Sequence, residues 1–535
     1  MVNQPNQAYL GHWYSLTRIR GGHNTYQILA STGAIHAPRE PVDLLVGLNE
    51  ESVELHRDDL GDGGLIVAED DNEALAKEDL GVPLAEMAEG LFINIAALGT
   101  ICCMLGLSRD TVAGLVRDQF GKKDEEIAER NDDALAAGYD WIEQHDRFDA
   151  AFLSHADKPS ETPMTLNGNE AIALGALSAG LKFYSFYPMT PATSIGLNII
   201  KHADEMGVVY EQAEDEISAV NMAIGASFAG APAMVATSGG GFALMCEGLS
   251  LAGMTETPVV IAIAQRPGPA TGLPTRTAQQ DLEFVLHAGH GEFPRAIFAP
   301  GTIEQCFHLA RQAFMIAEKT HSPAFILTDQ YLADSSRAVQ PFDVENLPPV
   351  DVPLDAGPAA EPYRRYEITE SGVSPRLLPG VTEHLVCADS DEHDRAGHMT
   401  EDLPLSVQMA DKRLRKIDLM REDFIPPEMI GQENPDTLLV CWGSARGACA
   451  EAAQMLTERG ERAGVLHFSQ VWPLVADDCI DALHSGGRTV AVENNATGQF
   501  ARLLFRETGF ETDELITRYD GLPFTPEYIL RALDQ

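Results

Sequence analysis

The sequence predicts a multi-domain α/β protein built on parallel sheets. Three observations carry this. From Leu166 to about Ser335, helical segments alternate with short β-branched strands, the pattern that covers a parallel sheet with helices on both faces. The alternation resumes from Asp436 to the end. The chain has 535 residues, 44% of them hydrophobic, which suits about three domains with ample cores.

In chain order, a first block spans 1–152. Its strand-like pieces are Thr25–Ala30, Asp43–Gly47 and Gly64–Ala68, followed by helical Asn94–Leu107 and Asp124–Ala137. Ser154–Thr165 reads as a linker. The second block, 166–335, gives strands K-F-Y-S-F-Y, G-V-V-Y-E-Q, P-A-M-V-A-T-S and T-P-V-V-I-A-I-A, with a helix before each. Residues 336–432 are Pro-rich and charged with little periodicity, so an extended loop or lid is expected. A smaller α/β domain occupies 433–535, with strands T-L-L-V-C-W, A-G-V-L-H-F and R-T-V-A-V-E.

Charge narrows the function classes. There are 81 acidic and 37 basic residues, a net charge of -44, and such a field repels nucleic acid and anionic membranes. The acids are dispersed, which suggests a hydrated, halophilic surface suited to high salt. No apolar run is long enough to span a membrane and the first residues are no secretory signal, so a cytoplasmic location is expected. The eight cysteines form no C-x-x-C, as suits reduced core thiols.

In a parallel sheet, ligands collect at the carboxyl ends of the strands. Four consecutive strand ends of the second block carry reactive residue types. The first is Y-P-M-T-P-A-T, where Pro188 and Pro191 restrict the backbone around Met189 and Thr190. Its plain alternative is a strand stop with Thr193 or Ser194 capping the next helix. In E-Q-A-E-D-E-I-S-A, the acids Glu211, Glu214, Asp215 and Glu216 meet a helix start, where any one of them would be an ordinary stabiliser. Glu216, directly before the apolar helix, is the one placed to turn inward. Next, T-S-G-G-G-F offers Ser238, Gly239 and Gly240 as a backbone cradle for an anion or cofactor, or simply as a tight turn. Last, A-Q-R-P-G-P-A-T-G-L-P-T-R-T holds Arg266 and Arg276, suited to bidentate carboxylate recognition or to pairing with surface acids. Together these loops describe a site for a cofactor plus an anionic substrate.

The ordered set Y-P-M-T-P, E-D-E-I-S-A, S-G-G-G-F and Q-R-P-G-P-A-T-G-L-P-T-R-T resembles the α subunit of 2-oxoacid:ferredoxin oxidoreductases, in its fused γ–α form. The resemblance continues through R-I-R-G-G-H (18–23), N-D-D-A-L-A-A-G (131–138), S-P-R-L-L-P-G (374–380), D-S-D-E-H-D-R-A-G-H (389–398), D-K-R-L-R-K (411–416) and V-E-N-N-A-T-G-Q (492–499). It implies a γ domain, a thiamine diphosphate pyrimidine-binding domain and a transketolase C-terminal-like domain. The implied reaction converts a 2-oxoacid and coenzyme A to acyl-CoA and CO2 and reduces ferredoxin. By resemblance, Glu216 holds the aminopyrimidine beside Pro188, Met189, Ser238, Gly239 and Gly240. Thr190 contacts the 2-oxoacid, and Arg266 or Arg276 its carboxylate.

The family's Mg2+–diphosphate motif and [4Fe-4S] cysteines are missing here and are expected on a β subunit, in an (αβ)2 assembly. The form of R-I-R-G-G-H leans toward 2-oxoglutarate over pyruvate. The family's Gly-rich loop ahead of that motif is also missing, so a truncated or degenerate γ domain is expected, which leaves its binding of coenzyme A open. His393 and His398 fit a structural or lid role better than a metal site. Asn495, Thr497 and Gly498 serve either an interface or coenzyme A path, or a plain turn. The competing functions are a non-redox thiamine enzyme and a non-catalytic assembly subunit.

The dispersed acidity gives a first prediction. The thermal unfolding midpoint rises between low and molar salt as screening relieves self-repulsion; equal midpoints would reject the high-salt reading.

Overall fold

A computed structural model of the chain describes residues 8–15, 23–31, 34–120, 125–145, 163–351, 362–381 and 383–535. Arg18–Gly22 of the R-I-R-G-G-H motif and most of the expected linker lie outside the described residues. The chain divides into two compact units, Arg39–Ser160 in one and Ala8–Pro38 with Glu161–Gln535 in the other.

In the first unit, strands Val42–Gly47, Leu60–Glu69 and Leu80–Val82 form a parallel sheet in that order. Helices Ile93–Met104 and Glu125–Gln144 touch backbone to backbone. A Cβ on Gly99 would run into the Leu135 carbonyl, and one on Gly138 into the Ala96 carbonyl. The last residue of N-D-D-A-L-A-A-G is therefore a close-packing glycine. The sequence reading missed helix Arg109–Phe120, because only Val112 and Val116 of its length are buried and so narrow a stripe gives little periodicity.

The second unit holds a strand the sequence places elsewhere. Asn24–Ser31 was expected in the first block. It pairs antiparallel with Ala8–Ser15, which pairs with Ser336–Val339, which in turn pairs with Met164–Leu166. Strand propensity marks such a segment but not its partner. Residues 34–38 are pinned nearby, where the Glu451 carboxylate accepts from His36 N (2.6 Å) and Ala37 N (3.1 Å).

The central sheet has seven strands, ordered Gln470–Trp472, Ala296–Phe298, Pro323–Asp329, Val259–Gln265, Ala233–Thr237, Phe183–Phe186 and Val209–Gln212. All pairings are parallel except that of Gln470–Trp472 with Ala296–Phe298. Every residue of Val259–Gln265 and Pro323–Asp329 is buried, which is why the first reads as a continuous apolar run; the sequence reading missed the second. From Phe183–Phe186 the chain passes outward to Val209–Gln212. From Ala233–Thr237 it passes the other way, to Val259–Gln265. The switch point therefore lies between the ends of Phe183–Phe186 and Ala233–Thr237, where α/β sheets open a crevice.

A second sheet, ordered Glu428–Gly431, Ala463–Phe468, Thr437–Trp442, Arg488–Glu493 and Glu514–Thr517, forms the C-terminal lobe. One core joins the two sheets, with Val235, Phe242 and Phe325 continuous with Leu438, Trp442, Phe468 and Phe500. Among the described residues, no helix is long and apolar enough to cross a membrane. All eight cysteines are free.

The described residues of 336–432 hold more regular structure than the expected loop or lid. They include the 20-residue helix Leu403–Glu422, whose buried residues are Met409, Lys412, Arg413, Lys416 and Met420. The spacing is helical but three of the five are cations, so no apolar stripe shows. Lys412 Nζ reaches the Glu256 carboxylate at 2.6 and 2.8 Å, and Lys416 Nζ also pairs with it. Burial would raise the Glu256 carboxyl; the charges of Lys416, Lys412 and Arg365 outweigh that and hold it well below the usual range. Nearby, Arg376 of S-P-R-L-L-P-G meets Glu318 at 3.2 Å, both buried. His393 is fully buried and packs on Tyr366 with centroids 4.0 Å apart and the rings tilted by 40°, whereas the His398 side chain is 62% exposed. The two histidines do different things, and His393 is a core residue.

Removing one member of a buried ionic cluster strands the others. Glu256→Gln, which leaves Lys412 and Lys416 without their counter-charge, is expected to cost about 3–5 kcal/mol, read as a lowered denaturation midpoint.

Candidate functional site

At the switch point, several of the residues singled out in the sequence meet around the helix start Ser238–Gly241. The four acids of E-Q-A-E-D-E sort by position. Glu211 and Glu214 are exposed. Asp215 caps the helix Glu216–Phe228, its Oδ1 accepting from Ser218 N at 2.7 Å. Glu216 is buried at 3% exposure, and its Oε1 has no hydrogen-bond partner. A Cβ on Gly241 would collide with that Oε1 and with Thr237 Oγ1, so glycine is required for the carboxyl to lie against the helix start. Burial first, and then the charge of Asp215, push the Glu216 carboxyl above its ordinary pKa. It is an acid that holds its proton more readily than a surface glutamate.

The Y-P-M-T-P loop closes over the same turn. Thr237 Oγ1 points at Met189 Sδ, 3.9 Å away. The Thr190–Pro191 peptide is cis, and Asn169, fully buried, holds the loop by donating from Nδ2 to Pro191 O (2.8 Å) and Ser194 Oγ (2.7 Å). Neither Thr193 nor Ser194 is the helix cap; that position is Ala192. Pro188 is exposed, and Met189 and Thr190 are half-buried.

Arg266, at the end of Val259–Gln265, reaches across the Thr237 strand end and donates from Nη1 to Thr190 O at 2.7 Å. Two of the four predicted loops are thus directly joined. Burial lowers the Arg266 pKa and Asp281 opposes the shift. Arg276 is placed differently. It packs on Gly521 of the C-terminal lobe, where a Cβ would lie 3.0 Å from Arg276 Cβ, and the next residue donates from Thr277 N to Gly521 O (3.1 Å).

The glycine run behaves as a helix start. Helix Gly239–Met254 begins at Gly239, with Ser238 in the cap position but making no cap bond, its Oγ buried and unpartnered. Gly240 is exposed. Exposed backbone N–H groups at a helix start suit a ligand carrying negative or polar groups. The unpartnered Glu216 Oε1 and Ser238 Oγ, gathered where Gly241 admits no side chain, fit a polar heterocyclic cofactor such as thiamine diphosphate.

Sequence reasoning missed Thr237, Asn169, and the run Gln279–Gln280–Asp281. The visible signal for the last was A-Q-Q-D directly after the arginine loop and before a helix. The V-E-N-N-A-T-G-Q motif docks on this run. Asn494 N donates to Gln279 Oε1 (3.0 Å), Asn495 Nδ2 to Gln279 O (3.0 Å) and Gln499 Nε2 to Gln280 O (2.8 Å). Asn495 Oδ1 also accepts from Thr497 N (3.0 Å) and Gly498 N (2.8 Å). The motif is a turn and a joint at once.

Comparison with known proteins bears on what such a site does. Residues 174–412 match the family described as pyruvate flavodoxin/ferredoxin oxidoreductase, thiamine diphosphate-binding. Residues 15–141 match pyruvate ferredoxin/flavodoxin oxidoreductase, and 429–504 the transketolase C-terminal domain. The chain is 30% identical to subunit alpha of 2-oxoacid:ferredoxin oxidoreductase 2 of Aeropyrum pernix, over 95% of this chain and 89% of that one. The chain belongs to the 2-oxoacid:ferredoxin oxidoreductase α-subunit family. It is 32% identical to 2-oxoglutarate oxidoreductase subunit KorA of Mycobacterium tuberculosis, over 82% of this chain and 67% of that one. In structure it is similar to 2-oxoglutarate:ferredoxin oxidoreductase from Magnetococcus marinus, solved with 2-oxoglutarate, coenzyme A and succinyl-CoA bound, with a TM-score of 0.90 and 30% identity over 99% of this chain and 94% of that one. As an α subunit of this family, the chain is part of an oxidoreductase, and its central sheet is the thiamine diphosphate-binding domain.

The glycine turn yields a test. Gly241→Ala displaces the Glu216 carboxyl, and a shift near 1 Å in a catalytic group costs about 100-fold in rate. Activity of the assembled enzyme is expected to fall by that order; unchanged activity would remove Gly241 and Glu216 from the site.

Proposed function

We propose that this chain is the α half of a 2-oxoglutarate:ferredoxin oxidoreductase. The observation that carries the site assignment is the buried, unpartnered, proton-retaining Glu216 at the switch point. Thiamine diphosphate, when bound, supplies the carbon nucleophile and the electron sink for decarboxylation. Glu216 holds the aminopyrimidine ring and keeps a proton at its carboxyl for a ring nitrogen. Ser238, Gly239 and Gly240 line the other side of the cradle, under Pro188 and Met189.

Arg266 binds the 2-oxoacid carboxylate. It is held at the site by Thr190 O, and Thr190 presents its hydroxyl to the same substrate. The packing of Arg276 on Gly521 favours Arg266 over it for this role. The Mg2+ for the diphosphate and the [4Fe-4S] cluster that passes electrons to ferredoxin reside on a β subunit, in an (αβ)2 assembly. Coenzyme A accepts the acyl group. The preference for 2-oxoglutarate over pyruvate rests on the relatives named for 2-oxoglutarate.

The test is co-expression with the β partner and dye reduction dependent on coenzyme A with either 2-oxoacid. The kcat/KM is expected to be higher for 2-oxoglutarate; a higher value for pyruvate would reverse the assignment. Glu216→Ala is expected to lower kcat by about 100- to 10,000-fold, the range of general acid–base catalysis, with the complex still assembled. Full activity of that variant would remove Glu216 from its role.

A further inference from the structure

Asp281 stands where a helix cap should be and does not cap. It precedes helix Leu282–His287 as the N-cap residue, yet its side chain makes no cap hydrogen bond. Instead the carboxylate lies on Gly239, where a Cβ would be 2.5 Å from Oδ2 and 2.6 Å from Oδ1. Oδ2 is buried and unpartnered. Glutamines fix its backbone on both sides, since Asp281 N donates to Gln265 Oε1 (3.0 Å) and Gln280 Nε2 to Arg266 O (3.1 Å). The segment is thereby tied to the backbone of Arg266. Gln280 is held in turn from the C-terminal lobe by Gln499.

The other charges near Asp281 point elsewhere. Glu283 on its own helix pairs with Arg502 of the helix Gln499–Thr508 at 3.1 Å, and the glycine turn contributes only neutral groups. Glu216 meets that turn at Gly241, about 200° around the helix from Gly239 at 3.6 residues per turn. Arg266 is the charge that acts on Asp281, and Asp281 the charge that acts on Arg266. No hydrogen bond joins the two side chains among the described residues, so the coupling is through space.

We propose that Asp281 is a positioning residue that governs the pull of Arg266 on the 2-oxoacid carboxylate: ionised, it partly neutralises the arginine and weakens substrate binding, and protonated, it releases the full charge. This rests on the reading of Arg266 as the carboxylate ligand. Burial pushes the Asp281 carboxyl up to about 6, against the opposing pull of Arg266. The sign follows. Below that pH Asp281 is neutral, Arg266 is uncompensated and the 2-oxoacid binds more tightly; as pH rises through it, binding weakens. The substrate carboxylate is ionised throughout.

The experiment measures KM for 2-oxoglutarate against pH, from 5 to 8, in the α–β enzyme carrying wild-type α, Asp281→Asn, Asp281→Glu or Arg266→Gln. Wild-type KM is expected to rise across the window. Asp281→Asn, which removes the charge with little change of shape, is expected to lower KM at pH 7.5 by roughly three- to tenfold, as for one unit charge at a partly buried separation. Its KM no longer changes with pH, while Asp281→Glu keeps the slope. A KM in Asp281→Asn that is unchanged or higher at pH 7.5, or that keeps the wild-type slope, overturns the proposal. The Arg266→Gln arm separates the two readings. If it raises KM at least tenfold while Asp281→Asn behaves as wild type, Arg266 stands and Asp281 falls. If Arg266→Gln leaves KM as it was, the carboxylate assignment itself is wrong.

Discussion

Two missing Cβ atoms organise this site. At Gly239 and Gly241 the start of one helix is bare, and a carboxyl lies on each, Asp281 against one and Glu216 against the other. Both acids are buried, and burial is the largest cause raising the pKa of each. The residues around the turn serve to keep this geometry. Met189 leans on Thr237, Asn169 holds the loop that carries Thr190, and Arg266 bridges from the neighbouring strand end. An alanine at either glycine would push on a carboxyl before it touched a cofactor.

The remote half of the chain reaches the same turn. The lobe that ends the sequence grips Gln279 and Gln280 through Asn494, Asn495 and Gln499, and Gln280 holds the Arg266 carbonyl. The helix Leu403–Glu422 is fastened underneath by two lysines on Glu256, itself just beyond the far end of the helix that starts at Gly239. One helix is thus fixed at both ends, by carboxyls at its start and by a buried ion cluster past its finish.

Much of this was legible in the sequence, and the failures share a cause. Buried strands announce themselves as apolar runs, so four strands of the central sheet, with their carboxyl-end loops, and three of the C-terminal sheet could be read, while Ala296–Phe298, Pro323–Asp329, Gln470–Trp472, Glu428–Gly431 and Glu514–Thr517 were not. Glu216 was separable from its three acidic neighbours because it alone abuts the apolar helix. What could not be read was burial carried by polar groups. Lys412, Arg413 and Lys416 occupy core-facing positions that apolar periodicity cannot report, so their helix passed for a loop. Asn169 and Gln279 do their work through hydrogen bonds to the backbone of other segments, Asn169 Nδ2 donating to Pro191 O, and Gln279 accepting at Oε1 from Asn494 N and donating from Nε2 to Trp442 O, which leave no signature in residue type. Thr25–Ala30 was visible as a strand, but its hairpin partner Ala8–Ser15 was not read as one, and the pairing of that strand with Ser336–Val339 joins segments too distant in sequence for local pattern to show.

The strand Gln470–Trp472 has a consequence for how this protein is made. It completes the edge of the central sheet beside Ala296–Phe298, so that edge stays open on the ribosome until residue 472 has emerged. Ala8–Ser15, likewise, must wait for Ser336–Val339 to be synthesised. A nascent chain with unpaired strand edges is prone to wrong associations. This protein therefore cannot finish its central body in the order in which it is translated. A messenger cut short anywhere between these points would yield chains with an exposed sheet margin, the kind of species that cellular quality control exists to remove.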